Sequence, residues 1–126
     1  MAVSRLNTLM GTGLAATMCV VLAGTVAAAE ERPLNGAEIQ QLLAGKTAYL
    51  DNGAVQTFSG DGATLYFHEP RPLERGTWKT DGDEYCSEWG GRWSCYEMTG
   101  DGADRITWIG GGTVYPARLE AGNIFD

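Results

Sequence analysis

Apolar and polar residues change rhythm twice along the chain. From Leu9 to Val26 the sequence is uncharged and mostly apolar. Around residues 36–44 the apolar side chains recur at helical spacing. From Thr47 onward, short stretches of strand-forming residues alternate with turn signals. Asn35, with Glu38 three residues later, has the form of a reciprocal helix cap. Ala37, Ile39, Leu42 and Leu43 follow, and Gly45 supplies a stop. The spacing predicts one helix over 36–44 with an apolar side of Ile39, Leu42 and Leu43. A helix this short is marginal alone and must dock on something.

The second rhythm is set by turns at Asn52-Gly53, Asp61-Gly62, Pro70-Arg71-Pro72, Asp81-Gly82, Gly90-Gly91, Asp101-Gly102 and Gly110-Gly111-Gly112. They separate eight short segments holding strand formers, among them Thr64–His68, Thr77–Lys79, Tyr85–Glu88, Trp93–Met98, Arg105–Ile109 and Thr113–Tyr115. No connection is long enough for a helical crossover, so the sheet is expected to be antiparallel. The fold class is mainly β: a small antiparallel meander or barrel of about eight short strands with one short N-terminal helix. Closure into a barrel removes the exposed edges, and the helix would cap one end. A barrel of this strand number has room for side chains or for one small ligand. Leu50, Phe58, Leu65, Phe67, Trp78, Tyr85, Tyr96, Met98, Ile106 and Trp108 are the bulky candidates for the interior, and several of them must face outward. A filled interior is expected, which counts against a lipocalin-style pocket.

Residues 1–29 carry the three parts of a secretory signal: Arg5 in the cationic start, the apolar run, and Ala27-Ala28-Ala29 before Glu30. A membrane anchor fits less well, because the run is rich in Gly, Ala and Thr and is followed by Glu30 and Glu31 rather than by a cationic cluster. A lipoprotein would use Cys19, but Met18 ahead of it is not the small residue that lipidation requires. The domain expectation is a signal peptide over 1–29 and a single small β domain over 30–126, periplasmic or secreted, with no stable membrane anchor after cleavage.

Export leaves Cys86 and Cys95 in an oxidising compartment, where thiols pair. A zinc site would need further ligands, and His68 is the only histidine. The local sequence supports pairing on its own terms. Gly90-Gly91 is a two-residue hairpin signal, so Trp89 faces Arg92, and counting outward sets Cys86 opposite Cys95. Alternation makes that a non-hydrogen-bonded pair, the closer type, within disulfide reach. On the same register Glu84 faces Glu97, and like charges directly across a pair repel. Glu84, Glu88 and Glu97 share the face of the cysteines. They are weak candidates for holding a cation, although such a cluster is more commonly a solvated face. Tyr85, Trp89, Tyr96 and Met98 occupy the opposite face, which is assigned to the core, and the disulfide is expected near the surface.

The chain carries a formal charge of −7, and removing residues 1–29 takes away Arg5 and no acid. An acidic domain repels phosphates, which disfavours nucleic acid and anionic membranes as partners. All twelve Trp, Tyr and Phe residues follow residue 48, and the charges are spread evenly, which argues against disorder.

Gly76-Thr77-Trp78, Asp81-Gly82, Cys86 with Trp89, Cys95-Tyr96 and Gly122-Asn123 form an ordered series behind the Leu34–Ile39 opening. The series resembles small exported bacterial envelope proteins of unknown function, which share a Gly-Ala-Glu helix, a Gly-x-Trp strand and a cysteine pair flanking a Trp. The resemblance covers nearly all of residues 34–123. It implies a small periplasmic β-domain and brings no catalytic residues. In many such proteins the segment between the cysteines is longer than here.

Little in the sequence has the form of an active site. With one histidine, two paired cysteines and no Gly-x-Ser-x-Gly elbow, an activated nucleophile is missing. His68-Glu69-Pro70 lacks the second histidine of a metalloprotease helix. Asp81–Glu84 and Asp101–Asp104 lack calcium-loop spacing. Paired carboxylates for a minor hydrolase stay formally open, yet most acids sit in turns that serve the backbone. The chain therefore reads as a non-enzyme with no cofactor. The first expectation is a binding or inhibitory module for a basic envelope or extracellular protein, such as a cationic lysozyme, held by Trp89, Arg92 and Trp93 at the hairpin tip. The alternative is a carrier of a small apolar ligand.

Overall fold

A computed structural model describes residues 30–126; the predicted export segment lies outside the described residues. The order of elements is β1 (Arg32–Pro33), α1 (Gly36–Leu43), β2 (Lys46–Leu50), β3 (Val55–Phe58), β4 (Ala63–Phe67), β5 (Glu74–Asp81), β6 (Glu84–Trp89), β7 (Arg92–Gly100), β8 (Arg105–Gly110) and β9 (Thr113–Ala121). Strands β2 to β9 form an antiparallel closed barrel: β9 pairs with both β2 and β8, and β8 pairs back to β7. Every turn signal named above connects two consecutive barrel strands.

One element escaped the sequence pattern. Pairing between β6 and β7 reaches only Tyr85–Tyr96. Beyond it, β1 takes the freed edge of β7, with Arg32 opposite Gly100, Pro33 opposite Thr99, and the Leu34 amide donating to the Met98 carbonyl at 2.9 Å. A two-residue strand at a proline leaves no periodicity to read.

Strands alternate in direction, so the turns fall at two ends. At the end holding the turns after β3, β5 and β7, helix α1 forms the plug. Asn35 Oδ1 accepts from the Glu38 amide at 2.9 Å, and Glu38 Oε1 accepts from the Asn35 amide at 3.0 Å, completing the expected capping box. Ile39 and Leu43 are fully buried, whereas Leu42 is only partly so. Gly36 lies so close to the Gly82 carbonyl oxygen that any Cβ there would overlap it. The helix start is thereby seated on the β5–β6 turn.

Above the plug, the lower half of the interior is filled. Phe58 sits at its centre, with Trp78, Tyr85 and Trp108 rings at centroid distances of 5.7, 6.0 and 5.9 Å. Met98, Ile106, Ala117 and Leu119 complete this core. Trp78 satisfies its indole N–H on the Ser59 carbonyl at 2.9 Å. Of the bulky candidates on β4, neither Leu65 nor Phe67 faces inward. Alternation sends Thr64 and Tyr66 inside instead. Thr64 is held there by donating to the Thr57 carbonyl (2.7 Å) and accepting from Gln56 Nε2 (2.9 Å).

The hairpin β6–β7 has the register expected from Gly90-Gly91, and both glycines adopt positive φ, as a two-residue type I′ loop requires. Cys86 and Cys95 face each other and form a disulfide, with a Cα separation of 4.0 Å. A disulfide is consistent with an oxidising, exported location. The bond is less superficial than expected. Cys95 is exposed, but Cys86 is completely buried although it points away from the interior. Lys79 on β5 reaches across β6 to place its Nζ 4.3 Å from the centre of the Trp93 ring on β7, roofing the strand between them.

Candidate binding site

No described residue plugs the other end of the barrel, where the turns after β2, β4, β6 and β8 lie. That end opens into a cavity of about 240 Å³. All eight barrel strands contribute to its lining. Leu50, Gln56, Tyr66 and Glu74 come from β2 to β5; Tyr85, Ser87 and Trp89 from β6; Tyr96, Trp108 and Tyr115 from β7 to β9. The expectation of a filled interior therefore holds for the helix-capped half only.

Two glycines make the aromatic lining feasible. Gly76 on β5 faces inward beside Trp89, and a Cβ there would meet the Glu88 carbonyl oxygen and come within 2.7 Å of Trp89 Cε3. With hydrogen in that place, the Trp89 indole folds across β5 and meets Tyr66 on β4 edge to face, centroids 6.0 Å apart. Gly110 on β8 does the same for Tyr96, whose Cδ2 would lie 2.6 Å from a Cβ. Tyr96 then meets Tyr115 edge to face at 6.2 Å. Two aromatic pairs thus line the mouth.

The deeper wall is polar and connected. Gln56 Nε2 donates to Tyr85 Oη at 3.0 Å as well as to Thr64. Trp89 Nε1 donates to Ser87 Oγ at 3.1 Å. Burial pushes the Tyr85 phenol up to about 12, with its hydrogen bonds to Ser87 and Gln56 pulling the other way. Burial also raises the Tyr66 and Tyr96 phenols, so these three rings stay neutral at neutral pH. Trp108 is a wall of the cavity, and its indole N–H is buried without an acceptor.

Among the described residues, Glu74 is the only charged one in the lining. It lies directly opposite Tyr66 across the β4–β5 pair. Its Oε2 accepts from Arg71 at 3.2 Å, a residue of the rim loop whose side chain is 70% exposed.

The residues singled out in the sequence separate in space. Trp89 lines the cavity and is half-buried. Arg92 is exposed near the mouth, and Trp93, 47% exposed, stands on the outer wall under Lys79. The hairpin tip therefore does not gather all three into one surface. Glu88 uses one oxygen on β5, accepting from Thr77 Oγ1 (2.8 Å), and the other on the hairpin loop, accepting from the Gly91 amide (2.6 Å). Glu84 lies opposite Asp81 on β5, and the β6–β7 pairing stops one step before Glu84 would meet Glu97. Glu84 does group with Cys86 and Cys95, but those sulfurs are bonded to each other and are not free to ligate.

The reading of the sequence missed Gln56, Tyr66, Glu74 and Tyr115. A signal for two of them was present: once Trp78 and Gly76 are placed inward, alternation carries Glu74 inward too, and Tyr66 with it across the pair. Compared with known proteins, the chain matches no family model, no curated protein and no solved structure.

Proposed function

We propose that this is an exported, non-enzymatic binding domain that holds a small, largely apolar ligand in the open end of its barrel. The observation that carries the reading is the half-filled interior: one end is plugged by a capped helix, and the other is an aromatic-walled cavity of about 240 Å³. For scale, a dry apolar cavity of about 150 Å³ is enough to take up benzene. Export, to the periplasm or beyond, is supported by the disulfide together with the signal-like first 29 residues. Titration with the neutral fluorophore N-phenyl-1-naphthylamine tests the reading. Saturable enhancement that is lost in Trp89→Ala supports it. Absence of any enhancement, together with a ligand-free native mass for protein taken from its own envelope, contradicts it.

A second reading, a module that docks on a basic protein, is favoured by Trp93, which keeps nearly half its surface in solvent on an acidic domain. Pull-down from envelope extract with wild type and Trp93→Ala tests it: a basic partner captured only by the wild type supports this reading.

A further inference from the structure

We propose that the mouth of the barrel is an aromatic cage for a small organic cation, an alkylated ammonium of about the size of choline. The inference rests on the small-ligand reading above and narrows it to one charge class.

The lining decides the sign. Tyr66, Trp89, Tyr96 and Tyr115 line the opening, and a ring that turns its face to a guest offers it the negative end of its quadrupole. Among the described residues, the one charged group in the lining is the Glu74 carboxylate, and none in the lining is basic. An anion would meet repulsion from both sources. A neutral apolar guest would gain nothing from the carboxylate. An alkylated ammonium satisfies both parts of the wall, because its charge is spread over methyl groups that pack on rings and are also attracted to them.

Arg71 is the competing cation. Its guanidinium reaches Glu74 at 3.2 Å, but from the rim, on a side chain that is mostly in solvent. Exposed ion pairs of this kind hold weakly. A guest seated against the rings approaches the same carboxylate from inside the barrel, while Arg71 is free to turn outward. The chain's overall acidity adds attraction for a cation at longer range.

The test compares choline with its neutral isostere, 3,3-dimethylbutan-1-ol, on the disulfide-bonded protein, with affinity from calorimetry and the ligand methyl protons followed by NMR. Choline is expected to bind roughly 10-fold or more tighter than the alcohol, with its methyl signal moved upfield by the rings. Glu74→Gln is expected to erase most of that preference, and Arg71→Gln to tighten choline binding severalfold by removing the competitor. Both substitutions are at partly or largely exposed side chains, and circular dichroism checks that the barrel persists. Equal affinity for the two compounds overturns the cation inference and leaves the cavity reading in place. A preference for choline that is undiminished in Glu74→Gln also overturns it. If neither compound binds, the cation inference falls, and the naphthylamine titration decides separately whether the cavity reading falls with it.

Discussion

Tyr66 and Trp89 meet edge to face, ring centroids 6.0 Å apart, although a whole strand, β5, lies between the strands that carry them. The contact exists because residue 76 has no side chain. Gly76 gives the indole a path across β5, and the same device on β8, Gly110 beneath Tyr96, builds the other half of the mouth. The Gly-x-Trp pattern thus has two separate effects: Trp78 fills the core below, and Gly76 opens space for Trp89 above.

Gly76→Ala is therefore expected to destabilise the fold by about 1–3 kcal/mol, the usual cost of forcing a methyl group into a packed interior. The strain includes backbone, since the added carbon meets the Glu88 carbonyl oxygen, so it is not relieved by moving the indole alone. Chemical denaturation measures the loss. A changed near-UV dichroism signal would report displacement of Trp89.

Replacing both cysteines by serine is expected to cost roughly 2–3 kcal/mol, as for other short loops closed by a disulfide. After reduction of the folded protein the two thiols should differ in reactivity. Cys95 is exposed and reacts first with an aromatic disulfide reagent, whereas Cys86 is fully buried beneath the Lys79–Trp93 contact and reacts slowly. Equal rates for the two thiols would show that the roof over β6 is not closed.

Stability at alkaline pH should follow Tyr85. Its phenol ionises near 12 in the folded protein and near the ordinary 10 when unfolded, so the folded state holds the proton more tightly. Its stabilising contribution is complete below about pH 10 and is lost as pH rises toward 12. A series of thermal melts from pH 9 to 12 should fall less steeply for Tyr85→Phe than for wild type.

Acid stability should follow Glu38. Its hydrogen bond from Arg32, and next the one from the Asn35 amide, hold this carboxyl near 2, below its ordinary value of 4.5. A depressed carboxyl stabilises above its unfolded pKa, and the contribution is lost as pH falls from about 4.5 to 2. Glu38→Gln should flatten that limb in acid melts. Asn35→Ala, which removes the other half of the cap, should cost about 1 kcal/mol at neutral pH.

Much of this architecture is legible in the residues, for local reasons. Gly90-Gly91 fixes its hairpin because a two-residue loop leaves one register, and that register brings the cysteines together. Asn35 and Glu38 announce a helix start because their side chains are the partners of the first free amides. The mouth was harder to read because Leu65-Tyr66-Phe67 is apolar at three consecutive positions. Alternation cannot choose a face there; the choice is made by the Gln56–Thr64 hydrogen bond, a contact between strands. The hairpin register alone assigns Trp89 to the core face; what it does not contain is the path of the indole across β5 to Tyr66, which depends on Gly76, thirteen residues earlier. For Glu74, alternation from Gly76 and Trp78 gives the inward direction, but nothing local says that the space there is open rather than filled.

The four tryptophans give the most direct test of the claim that the open end of the barrel is the binding site. Each indole N–H has its own NMR signal. Trp89 and Trp108 line the cavity, Trp78 is tied to the Ser59 carbonyl in the filled half, and Trp93 stands on the outer wall. On titration with choline, the signals of Trp89 and Trp108 should move together and saturate while those of Trp78 and Trp93 stay in place. Saturable movement of Trp93 alone would place binding on the outer surface and contradict the account.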